Sequence, residues 1–157
     1  MLASKKILIV EGSGDLLNLL GEALTLLGWE TILAESGPEA MNKLELEHDL
    51  PSVVLLDMRT PVIGIKLAAS LKAHPVYKKI PILAASGQSR GLIRERCLAL
   101  GCDDFIPRPL ELPELEMRLT NILAVERRKA IWATDPMNLE SNRWERRSRG
   151  AGHWRVA

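Results

Sequence analysis

The most informative segment of this sequence is Val53-Val54-Leu55-Leu56-Asp57-Met58-Arg59-Thr60-Pro61. Four apolar residues run directly into an aspartate, and an apolar run without polar alternation is typical of a strand covered on both faces. Strands of this kind belong to parallel sheets with helices on either side. Because the functional groups of such sheets meet at the carboxyl ends of the strands, the segment predicts a site at Asp57.

Four further apolar runs alternate with segments of helical periodicity. These runs lie at residues 7–10, 31–34, 82–85 and 105–106. The helices are predicted at about residues 16–27, 38–44, 65–73, 89–100 and 112–133. Gly28 is expected to end the first helix, and Ser36 with Glu39 has capping-box spacing at the start of the second. Five repeats of strand and helix predict an α/β fold with one doubly wound, five-stranded parallel sheet.

Polar residues follow four of the predicted strands. Glu11 follows the first strand, Asp57 the third, Ser86 the fourth and Arg108 the fifth. If the sheet forms, these side chains converge on one shallow polar site. Carboxylate oxygens bind hard divalent cations, and a carboxylate beside Mg²⁺ can accept a phosphoryl group. The alternative for Asp57 taken alone is a solvated or capping aspartate.

The composition indicates a globular body with a basic end. Residues 1–124 carry a net charge of −3 and residues 125–157 one of +4, which predicts a boundary near residue 125. Cys97 and Cys102 lack metal-ligand spacing and are interpreted as buried thiols in a reducing compartment. The apolar run near the N-terminus is too short for a signal peptide or a membrane span, so a cytoplasmic location is expected.

These motifs, taken in order, resemble the receiver domain of bacterial two-component response regulators. The resemblance covers about residues 5–124 and rests on motifs at the ends of four strands. They are Lys6-Ile7-Leu8-Ile9-Val10-Glu11, Leu55-Leu56-Asp57-Met58-Arg59-Thr60-Pro61, Pro81-Ile82-Leu83-Ala84-Ala85-Ser86 and Gly101-Cys102-Asp103-Asp104-Phe105-Ile106-Pro107-Arg108-Pro109. The resemblance implies a flavodoxin-like sheet of order 2-1-3-4-5 and a single-domain signalling protein of residues 5–124 that is not an enzyme.

The resemblance also implies roles for individual residues in phosphorelay signalling. Asp57 would accept a phosphoryl group from a histidine kinase or phosphotransfer protein. Ser86 would bind that group, and Phe105 would change rotamer with it. The switched surface, formed by helix 4, strand 5 and helix 5, would then engage a downstream protein target. On this surface the sequence places Arg90, Arg94, Arg118 and nearby leucines.

The same resemblance implies a magnesium site, and here the sequence departs from the family. Glu11, Asp57 and the backbone carbonyl of Arg59 would hold Mg²⁺, but Gly12 stands where the family has a second acidic ligand. The loss of one anionic ligand is expected to weaken Mg²⁺ binding, because the affinity of an oxygen site follows ligand charge. Arg108 stands in place of a lysine, and the peptide bond that follows it is expected to be cis.

Two hypotheses therefore stay open for Asp57. In the first, Asp57 is phosphorylated and the domain switches in the ordinary way, despite weaker metal binding. In the second, the chain is a degenerate pseudo-receiver that binds its partner without phosphorylation, with Arg108 clamping Asp57 through its planar guanidinium. A further departure is Gly64, seven residues after Asp57, where the family usually has an aspartate.

Residues 125–157 form the basic tail, which contains three of the four tryptophans. Its start is predicted to continue helix 5 and the remainder to be disordered. Basic residues interleaved with aromatic ones can bind nucleic acid, but no helix-turn-helix, zinc or RNA-module pattern supports this. A solvated or self-docked tail is the favoured interpretation, and no membrane partner is expected. An enzyme is disfavoured because Gly12-Ser13-Gly14 is only a fragment of a phosphate-binding loop.

Overall fold

The computed structural model describes residues 5–59, 61–87 and 91–137, without the side chains of residues 61–63, 92 and 93. Strands and helices alternate along these residues. The strands are β1 (Lys6–Val10), β2 (Glu30–Ala34), β3 (Val53–Asp57), β4 (Ile82–Ser86) and β5 (Asp104–Pro107). The helices are α1 (Gly14–Leu26), α2 (Gly37–Leu46), α3 (Pro61–Ala73), α4 (Leu92–Ala99) and α5 (Leu112–Thr134).

The five strands form one parallel sheet of order β2-β1-β3-β4-β5. The predicted fold class and strand order are therefore confirmed. The chain leaves β1 toward β2 on one side and returns to β3 on the other, so β1 and β3 flank the point where the winding reverses. In sheets of this type the crevice at that point is where functional groups meet. Glu11 and Asp57 lie there, at the ends of β1 and β3.

Alternate residues of the buried strands supply the two halves of the core. Leu8 and Val10 pack toward α2, α3 and α4, whereas Ile7 and Ile9 pack toward α1 and α5. This division follows from the period of two residues along a strand. Both faces are apolar because helices cover both, which explains the apolar runs in the sequence. The sheet therefore has polar side chains mainly at its ends, where the site lies.

Two of the predicted helix boundaries are confirmed by their capping geometry. Gly28 follows the last turn of α1 with φ 88°, a left-handed conformation that glycine adopts without a steric penalty. At the start of α2, the Ser36 hydroxyl accepts a hydrogen bond from the Glu39 backbone N–H at 3.2 Å. The Glu39 carboxylate in turn accepts one from the Glu35 backbone N–H at 2.8 Å. These local signals limit where α1 ends and α2 begins.

The predicted start of the third helix, at about residue 65, is wrong. The helix α3 begins at Pro61. Proline is favoured in the first turn of a helix because the N–H that it lacks would have no hydrogen-bond partner there. The predicted start of the fourth helix at Ser89 lies outside the described residues. The helix α5 continues past Leu123, where one compact unit of the chain ends and the next begins. Among the helices in the described part of the chain, none is both long and apolar enough to cross a bilayer.

Both cysteines are buried free thiols, as the sequence predicted. The last turn of α4 places them together, because the Cys102 backbone N–H donates to the Cys97 carbonyl at 3.0 Å across Gly101 with φ 92°. Such a helix end puts the side chains of these two positions in contact. Burial raises the pKa of the Cys102 thiol to about 12 and raises that of Cys97 as well.

Slow alkylation of the native protein is the expected consequence. The thiolate is the reactive form, and a thiol with a pKa near 12 is almost entirely protonated at pH 8. Iodoacetamide should therefore modify the folded protein at least about 100-fold more slowly than a free cysteine. Mass spectrometry over time measures this rate. The control is the protein unfolded in guanidinium chloride, which should take up two labels quickly. Labelling of the folded protein at the free-cysteine rate would contradict the burial described here.

Candidate functional site

The structure brings three of the predicted site residues into direct contact at the carboxyl ends of the strands. Glu11 follows β1 directly, Asp57 ends β3, and Arg108 follows β5. One guanidinium nitrogen of Arg108, Nη2, lies 2.5 Å from Glu11 Oε2 and 2.9 Å from Asp57 Oδ1. Arg108 thus bridges two carboxylates that come from different strands.

This bridge is shielded from water. The side chains of Glu11, Asp57 and Arg108 expose 1%, 10% and 11% of their surfaces. Charge-assisted hydrogen bonds in such surroundings are stronger than in water, and a buried charge without a partner is costly. Arg108 Nε is also buried, and it has no hydrogen-bond partner within the described chain. The guanidinium is therefore held through Nη2, by the two carboxylates.

A second arginine, Arg59, joins the same cluster. Its Nη2 pairs with Glu11 Oε1, its Nε lies 3.2 Å from Asp57 Oδ2, and its backbone N–H donates to Asp57 Oδ1 at 2.9 Å. Burial, together with the nearby Arg108 charge, lowers the pKa of the Arg59 guanidinium from its ordinary value. Arginine is so basic that it keeps its charge in proteins. The four side chains therefore form a closed cluster of two carboxylates and two guanidinium groups.

The side chain of Arg59 is the site feature that sequence reasoning missed. The resemblance had assigned a role only to its backbone carbonyl. The available signal was its position two residues after Asp57, in the short connection between β3 and α3. A long cationic side chain at that position can turn back onto the aspartate and reach the neighbouring strand end.

Ser86 and Phe105 occupy the positions that the sequence predicted for them. Ser86 ends β4 with 2% of its surface exposed, and its carbonyl accepts a hydrogen bond from the Arg108 backbone N–H at 3.1 Å. Phe105 is 9% exposed and packs into the core half that includes α4. The peptide bond between Arg108 and Pro109 is cis, as expected. The roles of Ser86 and Phe105 in switching stay predictions.

The surface predicted to carry the signal contains a shallow cleft beside Phe105. The cleft has a volume of about 180 Å³ and is lined by Arg94, Phe105, Pro107 and Arg118. Arg118 is paired within the domain, at 3.0 Å from both Asp104 and Glu114. The third arginine that the sequence placed on this surface, Arg90, lies outside the described residues.

The residues present do not match the donor set that Mg²⁺ prefers. Glu11 and Asp57 are the carboxylates of the pocket, and both are already paired with guanidinium groups. Within the described ranges, no three His, Cys, Asp or Glu side chains are grouped as metal ligands. Asp15, the other acid near the end of β1, is exposed in the first turn of α1. Gly12 stands where the resemblance placed a second acid, and an added Cβ there would have no neighbour within 4 Å.

A doubly wound parallel sheet of this order, with acids at the ends of β1 and β3 and a cation after β5, is typical of a domain of the receiver class. The family described as response regulator receiver domain matches residues 7–120, and the chain belongs to this family. The resemblance drawn from the sequence is therefore confirmed. Receivers are domains of two-component signalling systems.

Individual relatives agree with this assignment. The phosphate regulon transcriptional regulatory protein PhoB of Rhizobium meliloti (strain 1021) is 34% identical over 119 residues, which are 75% of this chain and 52% of that protein. The signal receiver domain of a signal transduction histidine kinase from Syntrophus aciditrophicus is 30% identical, with a TM-score of 0.68 over 77% of this chain and 91% of that one. The chain spans about half the length of the curated relatives it matches.

A third relative bears on the metal. The receiver domain of the sensor histidine kinase PA1611 from Pseudomonas aeruginosa PAO1 is 26% identical to this chain, with a TM-score of 0.67. The alignment covers 78% of this chain and 99% of that one. That structure contains a magnesium ion coordinated in its active-site cleft. The likeness supports the common fold.

Proposed function

We propose that this receiver domain serves two-component signalling as a pseudo-receiver, which binds a protein partner without phosphorylation of Asp57. The observation that carries the proposal is the bridge from Arg108 to both Glu11 and Asp57. The bridge engages Asp57, the side chain to which a phosphoryl group would be transferred in an ordinary receiver.

Phosphoryl transfer to an aspartate needs a free carboxylate oxygen and cations aimed at the incoming phosphoryl oxygens. Asp57 Oδ1 accepts hydrogen bonds from the Arg59 backbone, Arg59 Nε and Arg108, and Oδ2 accepts one from Arg59 Nε. Moving Arg108 away would also take its charge from Glu11, which is 1% exposed. Removing one partner of a buried ion pair is strongly destabilising, which favours the closed state of the pocket.

A second candidate function is the ordinary one, in which Asp57 accepts a phosphoryl group from a histidine kinase or phosphotransfer protein with Mg²⁺. The position of Asp57 at the end of β3, beside the buried Ser86 at the end of β4, favours this candidate. Either candidate needs a downstream protein that recognises the domain. Several relatives are transcriptional regulators. Binding of nucleic acid by the basic tail therefore stays an alternative.

Acetyl phosphate, a small phosphoryl donor, separates the two candidates. The purified chain is incubated with acetyl phosphate and Mg²⁺, and its intact mass is measured over time. The pseudo-receiver is expected to gain no phosphate beyond the amount gained by an Asp57→Asn variant, because the paired Asp57 is a poor nucleophile. Stoichiometric phosphate on the wild-type chain that is absent from Asp57→Asn would refute the proposal and establish the ordinary receiver reaction.

A further inference from the structure

We infer that Arg108, assisted by Arg59, is the resident cation of this pocket and excludes divalent metal ions from it. The inference deepens the proposed function, since it concerns the same pocket, but it is a statement about cations and not about phosphate. It predicts that the chain folds and keeps its pocket intact without Mg²⁺, and that added Mg²⁺ binds there poorly.

The charge of the pocket is the first support. Glu11 and Asp57 contribute two negative charges, and Arg59 and Arg108 contribute two positive ones, so the cluster is neutral. A divalent cation added to this cluster would leave two positive charges unbalanced beside a carboxylate that is only 1% exposed. Uncompensated charge in such surroundings is costly. A metal ion could enter only if a guanidinium group left.

The geometry of Arg108 is the second support. Its Nη2 lies 2.5 Å from an oxygen of Glu11 and 2.9 Å from an oxygen of Asp57, so one positive centre joins acids from two strands. A metal ion held between Glu11 and Asp57 would join the same two acids. The Nε of Arg108 is buried and has no hydrogen-bond partner among the described residues, so the two carboxylates are what hold the guanidinium in place.

Gly12 is the third support, and it supplies the test. The glycine follows Glu11, and an added Cβ would meet no atom within 4 Å, so Gly12→Asp should be accommodated without a clash. The new carboxylate would make the pocket negative and add an oxygen ligand. Arg108→Lys keeps one positive charge but shortens the side chain and replaces the planar guanidinium with a compact ammonium group. The two changes together should open the pocket to Mg²⁺.

The experiment is isothermal titration calorimetry, in which MgCl₂ alone is added to the protein without phosphate. Four proteins are compared: the wild type, Gly12→Asp, Arg108→Lys and the double variant. The double variant is expected to bind Mg²⁺ at least about tenfold more tightly than the wild type, because affinity follows the charge of the oxygen ligands. Thermal unfolding without metal shows whether each variant is folded, and Arg94→Lys, at an exposed arginine outside the pocket, is the matched control.

Wild-type binding as tight as that of the double variant would overturn the inference, since Arg108 would then yield readily to the metal. A folded double variant that binds no more tightly than wild type would overturn it as well. The outcome is separable from that of the acetyl phosphate experiment. Phosphate that reaches wild-type Asp57 when EDTA replaces Mg²⁺ in the acetyl phosphate incubation would defeat the proposed function alone, and tight wild-type Mg²⁺ binding without phosphate would defeat only the inference.

Discussion

Replacing Arg108 with methionine is expected to lower the free energy of unfolding by about 3–5 kcal/mol at pH 7. Methionine keeps much of the length of the side chain but removes the charge that bridges Glu11 and Asp57. Glu11 would keep Arg59 as its partner, yet Arg59 is 43% exposed and compensates the charge of Glu11 less well than the buried Arg108 does. Urea denaturation of the variant and the wild type measures the difference in the free energy of unfolding. Both curves are analysed with the same dependence of that free energy on urea concentration.

The matched control is Arg94→Met, which makes the same substitution at an exposed arginine outside the pocket. This control should change stability by less than about 0.5 kcal/mol. A loss for Arg108→Met no larger than that for Arg94→Met would contradict a buried bridge that stabilises the domain.

Shortening Leu24 to alanine is expected to cost about 2–5 kcal/mol, because the side chain is fully buried between α1 and the sheet. Two residues further along the same helix, Leu26 is 88% exposed, and Leu26→Ala should change stability by less than about 0.5 kcal/mol. Thermal or chemical unfolding of the two variants measures the contrast. Both substitutions remove the same atoms from the same helix, so only burial distinguishes them. Equal losses would show that α1 does not pack as described.

Most of the fold was predictable from local patterns in the sequence. Apolar runs such as that before Asp57 identified buried strands, and Gly28 and Ser36 marked helix ends through simple stereochemistry. The order of the strands is different, because periodicity shows that a strand exists but not which strand lies beside it. That order came from the resemblance to receivers. The early start of α3 at Pro61 was missed because the apolar periodicity becomes clear only later in the helix.

The site was only partly predictable. The convergence of Glu11, Asp57 and Arg108 follows from the rule that parallel strands end at one edge of the sheet. The side chain of Arg59 could not be assigned in this way, because its direction depends on the turn after β3 and on competition among nearby acids. Gly12 and Arg108 each appeared in the sequence as a single departure from the family. Only the structure shows that they are compatible with each other, since Arg108 and Arg59 together balance the charge of the two carboxylates.

The arginine bridge also bears on the order of events in folding. Arg108 is 97 residues from Glu11 and 51 residues from Asp57 along the chain, so the bridge closes only after β1, β3 and β5 have reached their places in the sheet. A contact between such distant residues needs the loops between them to be ordered first, so we expect the bridge to be absent from the folding transition state. An interaction absent from the transition state slows unfolding and leaves the folding rate almost unchanged. On this expectation the arginine bridge acts as a latch on the finished domain and contributes little to how the chain finds its fold.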